Sequence, residues 1–146
     1  AEKRLQWLRM ATQGSGFAVW EYELERGGTS FTKDTLAEAH RLGASRETLR
    51  LLLGADAYTN LPSWKDPARI RELCRLVIVN RPGSELQPLD SDDTILSVPP
   101  HSASSSAIRA DLAAKPPLLQ HLPPGVKSDL ENLILLSKNP YARNLE

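Results

Sequence analysis

Four short stretches hold the residues that could do chemistry, and each lies where a turn leads into a helix. In Gly54-Ala55-Asp56 a glycine follows an apolar run, which lets a ligand approach the backbone, and the acid two residues on can hydrogen-bond a ribose hydroxyl. The other reading of that turn makes Asp56 the N-cap of a short helix. Trp64 stands in Leu61-Pro62-Ser63-Trp64-Lys65-Asp66-Pro67, a loop bracketed by prolines. Its indole face either stacks on a flat ring such as a pyridine or covers the helix below. In Ala103-Ser104-Ser105-Ser106-Ala107-Ile108-Arg109, hydroxyls and exposed N–H groups precede a planar guanidinium. That set suits a phosphate, or else is a serine cap followed by a surface arginine. Finally, Gly27-Gly28-Thr29-Ser30-Phe31-Thr32 turns into a helix without the lysine of a P-loop. Its helix N-terminus either faces the negative end of a substrate or merely connects two elements.

Strands and helices must alternate to position these turns. The spacing of Leu5, Trp7, Leu8 and Met10 predicts a helix over 1–13, stopped by Gly14-Ser15-Gly16. Alternation around Val19, Trp20, Tyr22 and Leu24 predicts a strand over 17–24. Ser30 or Thr32 then caps a helix over 33–42, with Asp34 in its first turn. Residues 49–53 and 76–79 read as strands buried on both faces, with a helix over 68–73 between them. A short strand over 94–98 follows, then helices over 104–113 and 126–137. Trp7 and Trp20 are expected in the core of their elements. The pattern predicts one α/β domain over 1–146 with a tail at 137–146: an open, mostly parallel, Rossmann-like sheet with flanking helices. The loops after the strands would share one edge, where open α/β sheets bind ligands.

Other chemistries lack their residues. His40, His101 and His121 have no metal-ligand spacing to one another or to Cys74, so no metal site is expected. Asp90, Asp92 and Asp93 cluster in a loop that either holds a cation or is solvated. No nucleophile elbow is present. Eighteen basic against eighteen acidic residues give zero net charge, which argues against nucleic acid or an anionic membrane as partner. The single cysteine lies among apolar residues and reads as a small buried hydrophobe in a reducing compartment. Neither a membrane span nor a signal peptide is visible, so a cytoplasmic location is expected.

The order and spacing of the four stretches resemble the bacterial-type nicotinate mononucleotide adenylyltransferases, of the nucleotidylyltransferase superfamily. Gly28 to Leu36 resembles that family's Gly-x-x-Ser-Tyr-Thr-x-Asp-Thr-Leu, with Phe31 for the usual tyrosine. Gly54-Ala55-Asp56 and Trp64 fall where the family keeps its Gly-Ala/Ser-Asp turn and its tryptophan. Residues 76–83 resemble its next strand and turn, Ala103 to Arg109 its Ile-Ser-Ser-Thr-x-Ile-Arg, and Leu122-Pro123-Pro124 the entry to its last helix. The similarity runs from about residue 4 to residue 136.

This resemblance implies transfer of AMP from ATP to nicotinate mononucleotide, giving deamido-NAD and pyrophosphate with the help of Mg2+. It implies that Trp64 stacks on the pyridine and Thr32 helps place the nicotinate end. Gly54 and Asp56 would lie against the nucleotide ribose. Ser104, Ser105 and Arg109 would hold the ATP phosphates, with Arg109 stabilising charge during transfer. The family's first strand, with its Gly-x-Phe-Asp-Pro-x-His-x-Gly-His stretch, has no counterpart here. The chain alone is therefore expected to be weak or inactive, and its sheet prone to associate into a homo-oligomer. A non-catalytic nucleotide-binding module of the same descent is the alternative. A relative with another acceptor, such as pantetheine phosphate, is disfavoured by the tryptophan loop and the Thr32 motif.

Overall fold

The structure, a computed structural model, describes residues 2–80, 87–99 and 122–138, with side chains to 134. The chain divides into two compact units, Ala1–Glu21 with Ser102–Glu146, and Tyr22–His101.

The second unit carries the sheet. Three strands, β1 (Arg50–Gly54), β2 (Arg75–Asn80) and β3 (Thr94–Ser97), lie in the order β1-β2-β3 and are parallel throughout. Around them run α2 (Tyr22–Arg26), α3 (Thr32–Arg41), α4 (Ala55–Thr59), a 3-10 turn (Leu61–Ser63) and α5 (Pro67–Leu73). This is the open, parallel α/β architecture that the strand–helix alternation predicts. Pairing aligns Leu51 with Leu76 and Leu53 with Ile78, and Ile78 with Ile95, so one sheet face presents a row of branched apolar side chains. Leu36 of α3, Tyr58 of α4, Leu61, and Ile70 and Leu73 of α5 close over that row. Each fully buried leucine or isoleucine there contributes roughly 1.5–3 kcal/mol. Cys74 is 1% exposed within this core, as its apolar neighbours predict; burial pushes its thiol pKa up.

The strands are not buried on both faces. Leu52 of β1 is 62% exposed and Leu96 of β3 46%, while alternate residues of β2 are buried. Period-2 geometry sends Leu52, Val77 and Leu96 to the face opposite the core, which an unbroken apolar run cannot disclose. Residues 17–24 form no strand either. Phe17 is 77% exposed and Trp20 50%, and the chain instead enters α2 at Tyr22. A strand needs a neighbour for its N–H and C=O groups, and this segment joins none of the three-stranded sheet's ladders. Acidic Glu23 and Glu25 at the start of α2 and Arg26 at its end suit a helix dipole better.

The first unit pairs α1 (Glu2–Thr12) with α6 (Pro124–Lys138). Trp7 is half-buried rather than a core residue: its Nε1 donates to Asp129 Oδ2 at 2.6 Å, and Lys3 Nζ donates to Oδ1 at 2.9 Å. The hydrogen bonds from Lys3 and Trp7 hold the Asp129 carboxyl below its ordinary range.

The acidic loop before β3 is a latch. Asp93, its side chain 1% exposed, takes Arg71 Nη1 at 2.7 Å and Nη2 at 3.1 Å, together with the Tyr58 hydroxyl. Asp92 takes Arg46 Nη2 at 2.8 Å. Arginines hold both carboxylates, Asp93 buried and Asp92 with about half of its side chain still open to solvent. Burial pushes the Asp93 pKa up, but the Arg71 and Tyr58 hydrogen bonds outweigh it and hold the carboxyl below the usual aspartate value.

Breaking one side of a buried pair leaves an uncompensated charge, so Asp93→Asn should cost about 3 kcal/mol. A lowered urea midpoint with an unchanged slope is the expected reading. Because the folded carboxyl titrates below the unfolded one, its contribution is complete above pH ~4 and disappears as the pH falls through the folded value. Asp93→Asn should accordingly flatten the acid limb of the stability curve.

Candidate functional site

The carboxyl ends of the strands and the start of α3 position the predicted residues. Gly27 (φ 66°) and Gly28 (φ 71°) take two successive left-handed conformations that fold the chain from α2 toward α3. Helix α3 then begins at Thr32, one residue earlier than expected. Phe31 occupies its N-cap in extended conformation, and no side chain caps it. Thr32 lies inside the first turn, so its hydroxyl does not serve as the cap, and the Phe31 carbonyl takes Asp34 N–H at 2.9 Å. The first-turn N–H groups and the positive end of the helix dipole are thereby left without a side-chain acceptor. In the same turn Lys33 Nζ holds Asp34 Oδ1 at 2.7 Å, and that hydrogen bond lowers the Asp34 pKa.

A cavity of about 240 Å3 opens at this helix start, lined by Ser30, Phe31, Thr32, Trp64, Lys65 and Ile70. The structure thus joins two residues that lie 32 positions apart in sequence, Thr32 and Trp64. Trp64 is half-buried and packs against the core while also lining the cavity. The residue thus has the covering role that its loop allows, and it also borders the cavity.

Backbone strain sets this tryptophan loop. Asp66 takes φ 56° and ψ 66° immediately before Pro67, a left-handed conformation uncommon outside glycine. Its carboxylate compensates by capping α5, accepting the Arg69 N–H at 3.2 Å. Pro67 supplies the pre-formed first position of the helix.

Gly54 and Asp56 sit elsewhere, at the carboxyl end of β1, and do not line that cavity. Gly54, not Asp56, is the N-cap of α4; Asp56 lies in the first turn with its side chain exposed. Gly54 has φ −74°, and a Cβ added there would meet nothing within 4 Å among the described residues. The described part of the fold therefore makes no demand for glycine at this position. Ser104, Ser105 and Arg109 lie outside the described residues, as do His101, His121 and the turn after β2. His40 is half-buried, its Nε2 2.6 Å from the Leu73 carbonyl oxygen. Among the described residues no three His, Cys, Asp or Glu side chains converge as a metal site would require. No helix among them is long and apolar enough to cross a membrane.

No protein-family model matches the chain. Individual relatives do. It is 35% identical over 132 residues to a probable nicotinate-nucleotide adenylyltransferase of Corynebacterium kroppenstedtii, covering 86% of this chain and 62% of that one. With a probable nicotinate-nucleotide adenylyltransferase of Thermus thermophilus the identity is 40% over 113 residues, 77% of this chain and 60% of the relative. With one of Roseiflexus sp. it is 35% over 140 residues, 89% and 69% of the two chains. The chain belongs to the nicotinate-nucleotide adenylyltransferase family. It spans about three fifths of the length of the first two relatives.

Membership of the nicotinate-nucleotide adenylyltransferase family accords with the parallel α/β sheet. Sequence reasoning singled out Thr32 and Trp64 but passed over Lys65. Its signal was adjacency to Trp64 within the proline-bracketed loop.

If the αL turn at Asp66 holds the loop, Asp66→Ala loses the cap and keeps the strain, whereas Asp66→Gly loses the cap and relieves it. The alanine variant should be less stable than the glycine variant by about 1 kcal/mol. Equal unfolding midpoints for the two would show that the left-handed backbone is not what fixes the loop.

Proposed function

We infer that the protein acts as a nicotinate-nucleotide adenylyltransferase, passing AMP from ATP to nicotinate mononucleotide to form deamido-NAD and pyrophosphate. The observation that carries this reading is the cavity that unites Trp64 with Thr32 at the uncapped start of α3. A flat, negatively charged pyridine derivative matches both halves of it: indole on one side, helix N-terminus on the other. Membership of the family supports the same reading.

In this proposal Trp64 stacks on the pyridine and Thr32 orients its carboxylate end. ATP lies along the carboxyl edge of the sheet, with its ribose against Gly54 and Asp56. The missing Cβ of Gly54, which none of the described residues requires, gives that nucleotide room. Ser104, Ser105 and Arg109 hold the phosphates. The mononucleotide phosphate oxygen attacks the α-phosphorus and pyrophosphate leaves; Arg109 stabilises the charge that develops on the transferring group. No covalent enzyme intermediate is needed, since holding two substrates in line supplies much of the acceleration. The described residues offer no carboxylate cage for Mg2+, as Asp92 and Asp93 are engaged by arginines. The ion fits this chain as a companion of the ATP phosphates, where it neutralises charge. A cytoplasmic enzyme of NAD biosynthesis is the corresponding cellular role, and the neutral chain has no electrostatic bias toward nucleic acid.

Trp64 is one of three tryptophans, so its contribution is isolated by difference. Nicotinate mononucleotide should quench the fluorescence saturably, and Trp64→Ala should remove most of that change while Trp7 and Trp20 still emit. Absence of saturable quenching in the parent chain would defeat the ligand assignment. ATP affinity provides the second check. Gly54→Val and Arg109→Ala should each weaken ATP binding roughly tenfold, the loss typical of a hydrogen bond to a charged group or its steric equivalent. Unchanged ATP affinity in both would remove these residues from the nucleotide site.

A further inference from the structure

The cavity at the start of α3 has one charged residue in its lining, Lys65. That lysine differs from other cations of the chain. Lys3, Lys33 and Lys127 each pair with a carboxylate, whereas Lys65 has no such partner among the described residues. Its sequence neighbour Asp66 does not compensate it, because that carboxylate caps α5 through the Arg69 N–H at 3.2 Å. Lys33, next to Thr32 in sequence, is neutralised by Asp34 at 2.7 Å. The cavity therefore carries a net positive charge immediately next to the indole of Trp64, and the dipole of α3 adds to it with the same sign.

Stacking on an indole does not distinguish a pyridine bearing a carboxylate from one bearing a carboxamide, since the rings have the same area. Charge does distinguish them. An ammonium beside the stacked ring attracts a carboxylate and has no net charge to meet on a carboxamide, and the difference grows where the indole excludes water. Resting on the nucleotide site proposed above, we propose that Lys65 is the specificity-determining residue that makes this cavity favour the acid form of the pyridine mononucleotide over the amide form. The exposed position of Lys65 on a loop fixed by Pro62, Asp66 and Pro67 places its side chain at the cavity without burying it.

The test is a pair of fluorescence titrations on the 146-residue chain, with nicotinate mononucleotide and with nicotinamide mononucleotide. Lys65→Gln should weaken binding of the acid roughly tenfold, as loss of a charge-assisted hydrogen bond does, and leave the amide within about twofold. Lys65→Arg should keep the preference, because it keeps the charge. An exposed loop side chain is not needed for folding, and an unchanged unfolding midpoint in both variants would verify that. If Lys65→Gln weakens both ligands equally, or neither, or if the parent chain shows no preference to begin with, the role of Lys65 is overturned while the cavity remains a mononucleotide site. If the parent chain binds neither mononucleotide, the site itself is overturned, and the selectivity with it.

Discussion

A carboxylate withdrawn from water must find its compensation inside the protein, and Asp93 finds it in two elements at once. Arg71 reaches it from α5 and Tyr58 from α4, while Asp93 itself sits just before β3. Desolvating a carboxylate is costly enough that this geometry is nearly obligatory once the core forms around it. The interaction therefore joins both connecting helices between β1 and β2 to the entry of β3. Tyr58 shows how the polar and apolar halves cooperate: its ring is buried with Leu61 and Ile70, and its hydroxyl ends on Asp93.

The candidate site inherits its shape from that arrangement. Helix α5 is pinned at Arg71 to the latch and at Ile70 to the core, and Ile70 is also a wall of the cavity. One turn earlier Asp66 closes the same helix, so Trp64 and Lys65 leave a fixed terminus rather than a free loop. On the other side, Leu36 anchors α3 in the core and presents its uncapped start to the same space. A cavity of about 240 Å3 lined by Trp64, the start of α3 and Lys65 is what remains. Its chemistry follows from what the fold leaves uncompensated.

The correspondence between sequence and structure is close where a signal is local. Pro67 marks the start of α5, the apolar runs at 49–53 and 76–79 mark β1 and β2, and the apolar setting of Cys74 marks a core residue. It breaks where the outcome depends on a neighbour. Residues 17–24 alternate as a strand would, yet join none of the sheet's ladders, and Trp20 is exposed. The aspartates near β3 read as a loop that either holds a cation or is solvated, because nothing within a few residues reveals Arg71 or Arg46.

From the sequence alone came the family, the strand–helix alternation and the identity of Thr32, Trp64, Gly54 and Asp56 as candidates. These depend on residue types at short spacing, where backbone preference and side-chain period act directly. Tertiary structure alone decided that Thr32 and Trp64 share one cavity while Gly54 and Asp56 stand apart at the end of β1. It alone showed that Lys65 lines that cavity with no carboxylate partner among the described residues, and that Leu52 faces away from the core. The physical reason is common to all of these. Whether a charge is paired, or a side chain covered, is a property of what other elements bring to it through space, and no spacing along the chain encodes it.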